Sequence, residues 1–387
     1  MQSKLQNGGK SMSNNKWQLS SFSLFLIWFG AAISIAEILT GGLLSPLGFS
    51  KGIAAILVGH LIGSIILFFA GFIGSRERMT AMESTRFSFG IYGSYGFSIL
   101  NIFQLVLWAA IMIENGAKLF DQAIGLLFGY SNILFWSIAI GICIAIWLLV
   151  GLKNLAKINT VVIGLLFLFC ILLFTTVIMK GQKAGTTMPG TLTFGQGVEL
   201  NAAMCLSWLP LISDYTRSAK HTFKGPLYSV IGYFIASSFM FILGLGAVLT
   251  YGETDLSLIL VSTGLGLPGL FIVFFSTITT TFLDVFSAGV SAHNLNGKWK
   301  ENLLALLVCL LALVLSILVP LDSFENFLYF IGSVFSPLYA LLFTDYFILK
   351  RKPEPKRKWD TYNVILWLIG GTALSSLAEL RQFCRDD

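Results

Sequence analysis

Eleven long apolar runs divide this chain, and they constrain its fold more than any other feature. Lipid offers no hydrogen bonds to an exposed backbone, so runs of this length are expected to cross a bilayer as α-helices. Hydrophobic residues make up 56% of the 387 residues and charged residues only 11%, so we predict an all-α integral membrane protein. The predicted spans cover 22–44, 53–75, 94–120, 131–151, 158–179, 198–213, 226–251, 268–293, 302–319, 326–349 and 361–379.

The positions of the basic residues predict which ends of these spans face the cytoplasm. With the N-terminus inside, 19 of the 25 Lys and Arg residues fall in cytoplasmic segments. Cytoplasmic loops of membrane proteins are enriched in such residues, which fixes the orientation. The net charge of +6 therefore lies at a membrane surface, and it does not indicate nucleic-acid binding. The polar segment 1–21 has no cleavage site after an apolar core, so we expect a cytoplasmic tail.

The cysteines and the known catalytic motifs narrow the function. The five cysteines are scattered without a CxxC pair, so we predict neither a disulfide nor a metal centre, and no cofactor beyond a coupling ion. No HExxH motif or intramembrane Ser/His pair is present, which argues against an intramembrane enzyme. A passive channel or a receptor-like sensor remains an alternative, because composition does not separate these from a transporter.

The eighth span carries an unusual polar stripe. At 100° per residue, one face of this helix collects hydroxyl side chains around a carboxylate, whereas the other faces are aromatic or aliphatic. The hydroxyls could simply bond to their own backbone carbonyls, with the carboxylate in a structural pair. A charge at mid-membrane is costly unless it faces a polar cavity or a partner, so we favour a solute or ion pathway. The stripe comprises Thr277, Thr280, Thr281, Asp284, Ser287 and Ser291.

The third span offers a second candidate surface. Gln104, Trp108, Met112 and Asn115 share one helix face, and an indole with polar neighbours can stack on a planar ligand and bond its edge. Packing between helices is the alternative role for Trp108. Glu114 points away from Trp108, toward another helix or the outer surface.

A proline interrupts the sixth span. Pro210 removes a backbone donor and clashes with the preceding turn, so we predict a break between Cys205 and Leu209. Trp208 lies at this predicted break. Asp214 and Arg217, three residues apart, are expected to pair at the cytoplasmic end, with a structural or gating role.

The first two spans contain two further polar residues. The small residues around FGAAIS and TGG allow close packing or a helix break. Glu37 follows, and an intramembrane glutamate is a functional candidate by default, although a buried structural pair is the alternative. His60, in the second span, is expected to be a packing histidine rather than a proton relay.

Five short stretches form an ordered set of motifs along nearly the whole chain. They are Arg86–Gly90 with Gly93 and Ser94, the Trp108 segment, Asp214–Arg217, Thr279 and Thr280 through Phe286–Gly289 to Asn294, and Pro337 with Asp345, Tyr346 and the basic run after them. In this order and topology they resemble the nucleobase:cation symporter-1 family. The sequences SWLPLISDYTR and TTTFLDVFSAG are most similar to the branch of hydroxymethylpyrimidine transporters, which is linked to thiamine salvage.

The resemblance implies a leucine-transporter-type fold with two inverted five-helix repeats around a midplane site. The first repeat would cover 22–180 and the second 181–350, followed by a basic loop and a last helix in 351–387. Trp108 and Trp208 would sandwich a flat ring, and its edge would be bound by Met112, Asn115, Ser207, Thr281 and Asp284. A sodium ion would be bound by Ala31, Ser34, Thr279 and Thr280. Proton coupling would instead use Glu37, Glu114 or Asp284.

The sequence departs from this family at three places. Thr281–Leu283 and then Asp284 replace an asparagine-rich run, Met112 replaces a glutamine of some hydantoin-type members, and eleven spans replace the usual twelve. The changed polar set argues against simple cytosine or hydantoin specificity. We therefore expect a monomeric importer in the cell membrane, specific for a small pyrimidine such as hydroxymethylpyrimidine and coupled to Na⁺ or H⁺. An importer of cytosine, a purine or a similar ring, or a passive facilitator, is the alternative.

Overall fold

The computed structural model describes residues 18–181, 187–319, 324–352 and 357–386. Within these ranges, only the backbone is described for 151–160, 266–267, 324–326 and 377–386. The described chain is helical almost throughout, as the apolar runs predict. By length and hydropathy, eight helical segments are long and apolar enough to cross a membrane.

The helices follow one another with short connections. A 3₁₀ turn at Ser45–Leu47 and a π-helical turn at Thr344–Ile348 complete the described helical elements. In chain order the α-helices are α1 (Ser21–Ala32), α2 (Ile35–Gly42), α3 (Gly48–Glu77), α4 (Ala81–Ser84), α5 (Arg86–Phe128), α6 (Ile133–Met179), α7 (Phe194–Leu206), α8 (Leu209–Thr216), α9 (Lys224–Tyr251), α10 (Leu256–Ser262), α11 (Gly266–Leu295), α12 (Glu301–Leu318), α13 (Phe324–Phe343) and α14 (Thr361–Asp386).

The first predicted span is interrupted in the middle. α1 ends at Ala32, and the backbone of Ser34 is extended, with φ −136° and ψ 157°. The Ser34 hydroxyl then accepts a hydrogen bond from the Glu37 backbone N–H and caps α2. The small residues of this span therefore do include a helix break.

The sixth predicted span is interrupted where the proline predicts. α7 ends at Leu206 and α8 begins at Leu209, with Pro210 in its first turn. Ser207 and Trp208 lie at the junction, as expected, because proline is tolerated only where its missing N–H has no helical partner. The two interrupted helices open the two predicted inverted repeats, and the repeat boundaries themselves stay a prediction.

Very close backbone contacts join α2 to α9. A Cβ atom added at Gly41 would lie 2.2 Å from the carbonyl oxygen of Phe241, and one added at Gly244 would lie 2.0 Å from that of Ile38. Each helix therefore presents a glycine to the backbone of the other. This reciprocal packing fixes α2 against α9.

The segment before α14 docks on an irregularity in α5. Gly90 has φ +73°, which a residue with a Cβ atom rarely adopts. The distorted turn leaves backbone donors free, and the N–H groups of Ile91 and Tyr92 donate to the carbonyls of Arg357 and Lys358 at 3.1 and 3.0 Å.

The fourth and fifth predicted spans form one helix in the structure. α6 runs without interruption from Ile133 to Met179, so the predicted connection between these spans is itself helical. Outward-facing residues elsewhere form a lipid-facing surface. On α3, for example, Leu57, Leu61 and Ile65 are all exposed, which is the pattern expected of a helix at the bilayer.

Candidate functional site

A cavity lies at the interruption between α7 and α8, where these helices face α5, α11 and α13. Its empty volume of about 200 Å³ includes space that is open to solvent. Its wall combines two indoles and three aliphatic side chains with one amide, one hydroxyl and one carboxylate. The lining residues are Gln104, Leu105, Trp108, Ser207, Trp208, Leu211, Asp284 and Ile331.

Both predicted aromatic residues line this cavity. Trp208 is held by Trp28, whose ring lies 5.4 Å away in an edge-to-face arrangement at 83°. Trp108 stacks on Phe327 at 5.9 Å and 28°. Each indole is thus oriented by a second aromatic ring behind it, and both present apolar surface to a ligand.

The amide of Gln104 is oriented by a hydrogen-bonded chain. Its Nε2 donates to Asn101 Oδ1 at 2.8 Å, and Asn101 Nδ2 donates to Ser291 Oγ at 2.8 Å. The amide nitrogen of Gln104 thus already donates a hydrogen bond to the protein. Its Oε1 remains an acceptor for another donor.

Asp284 is the charged group of the cavity. Its side chain is 1% exposed, and its Oδ2 has no hydrogen-bond partner among the described residues. A buried carboxylate oxygen without a donor is costly, so the protein leaves Asp284 to be satisfied by a ligand or a proton. Trp208 Nε1 is likewise buried without an acceptor. The cavity lining therefore contains a carboxylate and an indole N–H whose hydrogen-bonding capacity is unused among the described residues.

The hydroxyls of the α11 stripe differ in their partners. Thr277 of the stripe and Thr279, which lies beside it, donate to carbonyls of their own helix, Val273 O at 2.8 Å and Phe275 O at 3.0 Å. For these two, self-bonding is the observed role. Thr281 and Ser287, like Asp284, carry buried oxygens without a partner, so this part of the stripe is not explained by self-bonding.

The four predicted sodium ligands do not form one cluster of free oxygens. Thr280 Oγ1 donates to Ala31 O at 3.4 Å and so links α11 to the end of α1. The Ser34 hydroxyl caps α2, and the Thr279 hydroxyl bonds within α11. Among the described hydrogen bonds of these four residues, the bond from Thr280 to Ala31 is the one that joins α11 to α1, and the sodium site stays a prediction.

The predicted proton-coupling residues have very different surroundings. Glu114 forms an ion pair with Lys118, Oε1 to Nζ at 2.7 Å, one turn along the same helix. Glu37 accepts from Tyr233 and Ser237 of α9 and lies outside the cavity lining. Asp284 alone of the three lines the cavity.

The structure brings four of the seven predicted substrate residues together: Trp108, Ser207, Trp208 and Asp284. Met112, Asn115 and Thr281 are not among the lining residues. Sequence reasoning noted Gln104 on the Trp108 face without assigning it a role. Leu211 and Ile331 carried no signal, because aliphatic residues fill every span.

Asp214 and Arg217 are in contact as predicted, but through the backbone: Arg217 Nε donates to the carbonyl oxygen of Asp214 at 3.1 Å. Asp214 Oδ1 accepts from the Ala81 backbone N–H at 2.9 Å, at the start of α4. Arg217 pairs with Glu301, Nη2 to Oε1 at 3.3 Å. The residues also connect α8 to two other elements, α4 and α12, because their side chains extend from the helix end toward different neighbours.

The fold and cavity together define a class of protein. An all-α membrane fold with two interrupted helices and a central aromatic cavity is that of a secondary transporter. The structure is similar to that of Mhp1, a nucleobase-cation-symport-1 family transporter solved in a closed conformation with bromovinylhydantoin bound. The TM-score is 0.77 at 18% identity, covering 94% of this chain and 91% of that one. MhsT, solved in complex with L-phenylalanine, has a TM-score of 0.65 at 16% identity, covering 96% and 100%.

Sequence comparison identifies the family. Residues 12–355 match the permeases for cytosine/purines, uracil, thiamine and allantoin, and the chain belongs to this family. The cytosine permease of Escherichia coli (strain K12) is 23% identical over 345 residues, covering 86% of this chain and 79% of that protein. The chain is therefore a multi-pass membrane transport protein of the nucleobase permease class, and not an enzyme.

Proposed function

We propose that this transporter is a secondary active importer of a small aminopyrimidine, with hydroxymethylpyrimidine as its substrate. The substrate would cross by alternating access, driven by a gradient of Na⁺ or H⁺ directed into the cytoplasm. The basic cytoplasmic segments support a cytoplasmic N-terminus in the cell membrane. The proposed assembly is a monomer.

One observation carries the substrate class, namely the buried Asp284 oxygen without a donor. A carboxylate only accepts hydrogen bonds, and the Gln104 Oε1 beside the same cavity is also an acceptor. A ligand that satisfies both must therefore present hydrogen-bond donors. The exocyclic amine of an aminopyrimidine and the hydroxyl of its hydroxymethyl group supply two.

The aromatic walls support a flat, neutral ring. Trp108 and Trp208 are each 5% exposed and backed by another aromatic residue. Stacking adds about 0.5–1.5 kcal/mol per aromatic pair beyond the burial of area. Cytosine also carries an exocyclic amine and is the second candidate, supported by the family relationship and the same carboxylate.

Uptake into proteoliposomes tests this proposal. Labelled hydroxymethylpyrimidine is supplied under an inward Na⁺ gradient, an inward H⁺ gradient, or neither. Accumulation above the external concentration under one gradient is the expected result and identifies the coupling ion. Uptake that only equilibrates under every gradient would indicate a facilitator instead.

A competition series tests the substrate assignment separately. Unlabelled hydroxymethylpyrimidine is expected to inhibit uptake of the labelled compound more strongly than cytosine, hydantoin or a purine. A pyrimidine that lacks the exocyclic amine is the matched control ligand, since it keeps the ring and loses the donor to Asp284. Equal inhibition by this control would overturn the role of the amine.

A further inference from the structure

Glu37, His60 and Ser237 form a buried polar cluster outside the substrate cavity, between α2, α3 and α9. Glu37 is 2% exposed, and His60 and Ser237 are both fully buried. Ser237 Oγ lies 2.7 Å from Glu37 Oε2 and 2.5 Å from His60 Nε2. The serine hydroxyl thus bridges a carboxyl group and an imidazole.

The tautomer of His60 follows from its other nitrogen. His60 Nδ1 lies 2.9 Å from the carbonyl oxygen of Ile56. A carbonyl oxygen only accepts, so Nδ1 carries a hydrogen. In a neutral imidazole, Nε2 is then the acceptor.

The hydrogen bonds at Ser237 require one hydrogen more than a carboxylate and a neutral imidazole provide. Two hydrogen bonds meet at Ser237 Oγ, and the hydroxyl supplies one hydrogen. The second must be on Glu37 Oε2, as a carboxylic acid, or on His60 Nε2, as an imidazolium. Tyr233 does not supply it, because its hydroxyl donates to the other carboxyl oxygen, Glu37 Oε1, at 2.9 Å.

The charge balance of the cluster also indicates one additional proton. On the described helices around Glu37, the titratable side chains facing it are His60 of α3, Cys205 of α7 and Tyr233 of α9. No ion pair of Glu37 occurs among the described residues. With the additional proton the cluster is neutral overall, whereas without it a buried negative charge has no cation to pair with.

We propose that Glu37, Ser237 and His60 form a proton-binding site, and that the proton held there is the ion that drives transport. This rests on the proposed function and selects its coupling ion. Tyr233 connects the two sites, because it bonds Glu37 on one side and packs edge-to-face on Trp208 of the cavity at 6.2 Å on the other.

The position of the cluster explains how the proton would act on transport. Glu37 lies in α2, the second half of the interrupted first span, and His60 and Ser237 lie in the uninterrupted helices α3 and α9. The additional proton completes the hydrogen bonds that join α2 to these helices. Substrate contacts at Trp208 and protonation at Glu37 then favour the same arrangement, so that each binds more tightly in the presence of the other.

The test uses Glu37→Gln in the full chain, because a glutamine amide donates permanently to Ser237 and reproduces the protonated acid. We expect exchange of labelled hydroxymethylpyrimidine across proteoliposomes to stay within about threefold of wild type, and accumulation under an inward proton gradient to fall to equilibration. Glu253→Gln, in the loop before α10, is the control and retains accumulation. Accumulation by Glu37→Gln equal to wild type would overturn the proposal.

Substrate binding provides a second measurement that needs no gradient. In detergent, wild-type affinity is expected to strengthen by about tenfold or more between pH 8 and pH 6, and that of Glu37→Gln to stay constant. An affinity of the wild type that does not change with pH, while exchange proceeds, would overturn proton coupling and leave the importer assignment intact.

Spectroscopy tests the proton itself without any transport. At neutral pH, the wild type should show either the infrared carbonyl band of a protonated carboxyl group, absent from Glu37→Gln, or a ¹⁵N signal of a doubly protonated His60. Absence of both would overturn the site. If the proton is present but no pyrimidine is exchanged, the site stands and the proposed substrate fails.

Discussion

Glu37 and Asp284 are two of the buried carboxyl groups in the described part of the chain, and their surroundings differ. Both oxygens of Glu37 accept hydrogen bonds from the protein, at 2.9 Å from Tyr233 and 2.7 Å from Ser237. Asp284 Oδ2 accepts none among the described residues and faces the cavity region. A carboxyl group satisfied by its own protein can hold helices together and store a proton, whereas one left open is available to a ligand.

The largest effect is expected for Asp284→Asn. An amide keeps the size of the side chain but loses the charge and turns one acceptor into a donor, so the donor of the substrate is left without its partner. We expect uptake at low substrate concentration to fall about 10–100-fold, the range for a hydrogen bond to a charged group. Initial rates of labelled substrate uptake measure this. A decrease in uptake below about twofold would contradict the assignment of Asp284, and not Glu37, as the carboxylate that binds the substrate.

The next effect concerns the packing that positions Glu37. In Gly244→Ala, the added methyl group would lie 2.0 Å from Ile38 O, which forces α2 away from α9. Overpacking of this kind costs about 1–3 kcal/mol, so thermal unfolding in detergent should occur at a lower temperature. Gly96→Ala is the matched control, because nothing lies within 4 Å of its added methyl group. Equal unfolding temperatures for the two variants would contradict tight packing at α2.

A smaller effect is expected when the hydroxyl of Tyr233, which lies between Glu37 and the substrate cavity, is removed. Tyr233→Phe keeps the ring against Trp208 and deletes only the hydroxyl that donates to Glu37 Oε1. Loss of one such bond costs about 1–3 kcal/mol when the partner stays buried. We expect the pH dependence of substrate affinity to weaken while affinity at low pH stays within about fivefold. An unchanged pH dependence of substrate affinity would show that Tyr233 does not couple Glu37 to the substrate cavity.

The smallest effect is expected at Thr281, where the structure and the resemblance disagree. The resemblance assigns Thr281 to the substrate, but Thr281 is not among the residues that line the cavity. Thr281→Val has nearly the same shape and removes a buried hydroxyl that has no partner among the described residues. We expect uptake to change less than about threefold, since no hydrogen bond to the protein is lost. A loss comparable to that of Asp284→Asn would place Thr281 in contact with the substrate.

Much of the cavity was predictable because its chemistry is unusual for a membrane span. A carboxylate in an apolar helix and a proline-interrupted helix with an adjacent tryptophan stand out against aliphatic sequence, and both lie at the cavity. Leu211 and Ile331 were not predictable. Their contribution depends on which face of α8 and α13 is turned inward, and aliphatic residues on other faces look the same in the sequence.

The roles of the remaining polar residues also depended on neighbours distant in sequence. Arg217 forms its ion pair with Glu301 and not with Asp214, and His60 reaches Ser237 across 177 positions. Periodicity along one helix places residues on a face but does not identify the helix opposite. His60 does pack in the core, against Phe241, as expected, but the sequence contains no sign of its hydrogen bond to Ser237.

The sequence by itself determined the membrane class, the orientation expected from its basic loops, the break before Pro210 and the family. The first three follow from local hydropathy, charge and backbone chemistry, which act over a few residues, and the family follows from the resemblance of its short motifs. Only the tertiary structure decided which buried carboxylate is satisfied and which is open. Hydrogen-bond partners of a buried group come from other helices, and their contacts are set by packing between the helices and not by the pattern within any one of them.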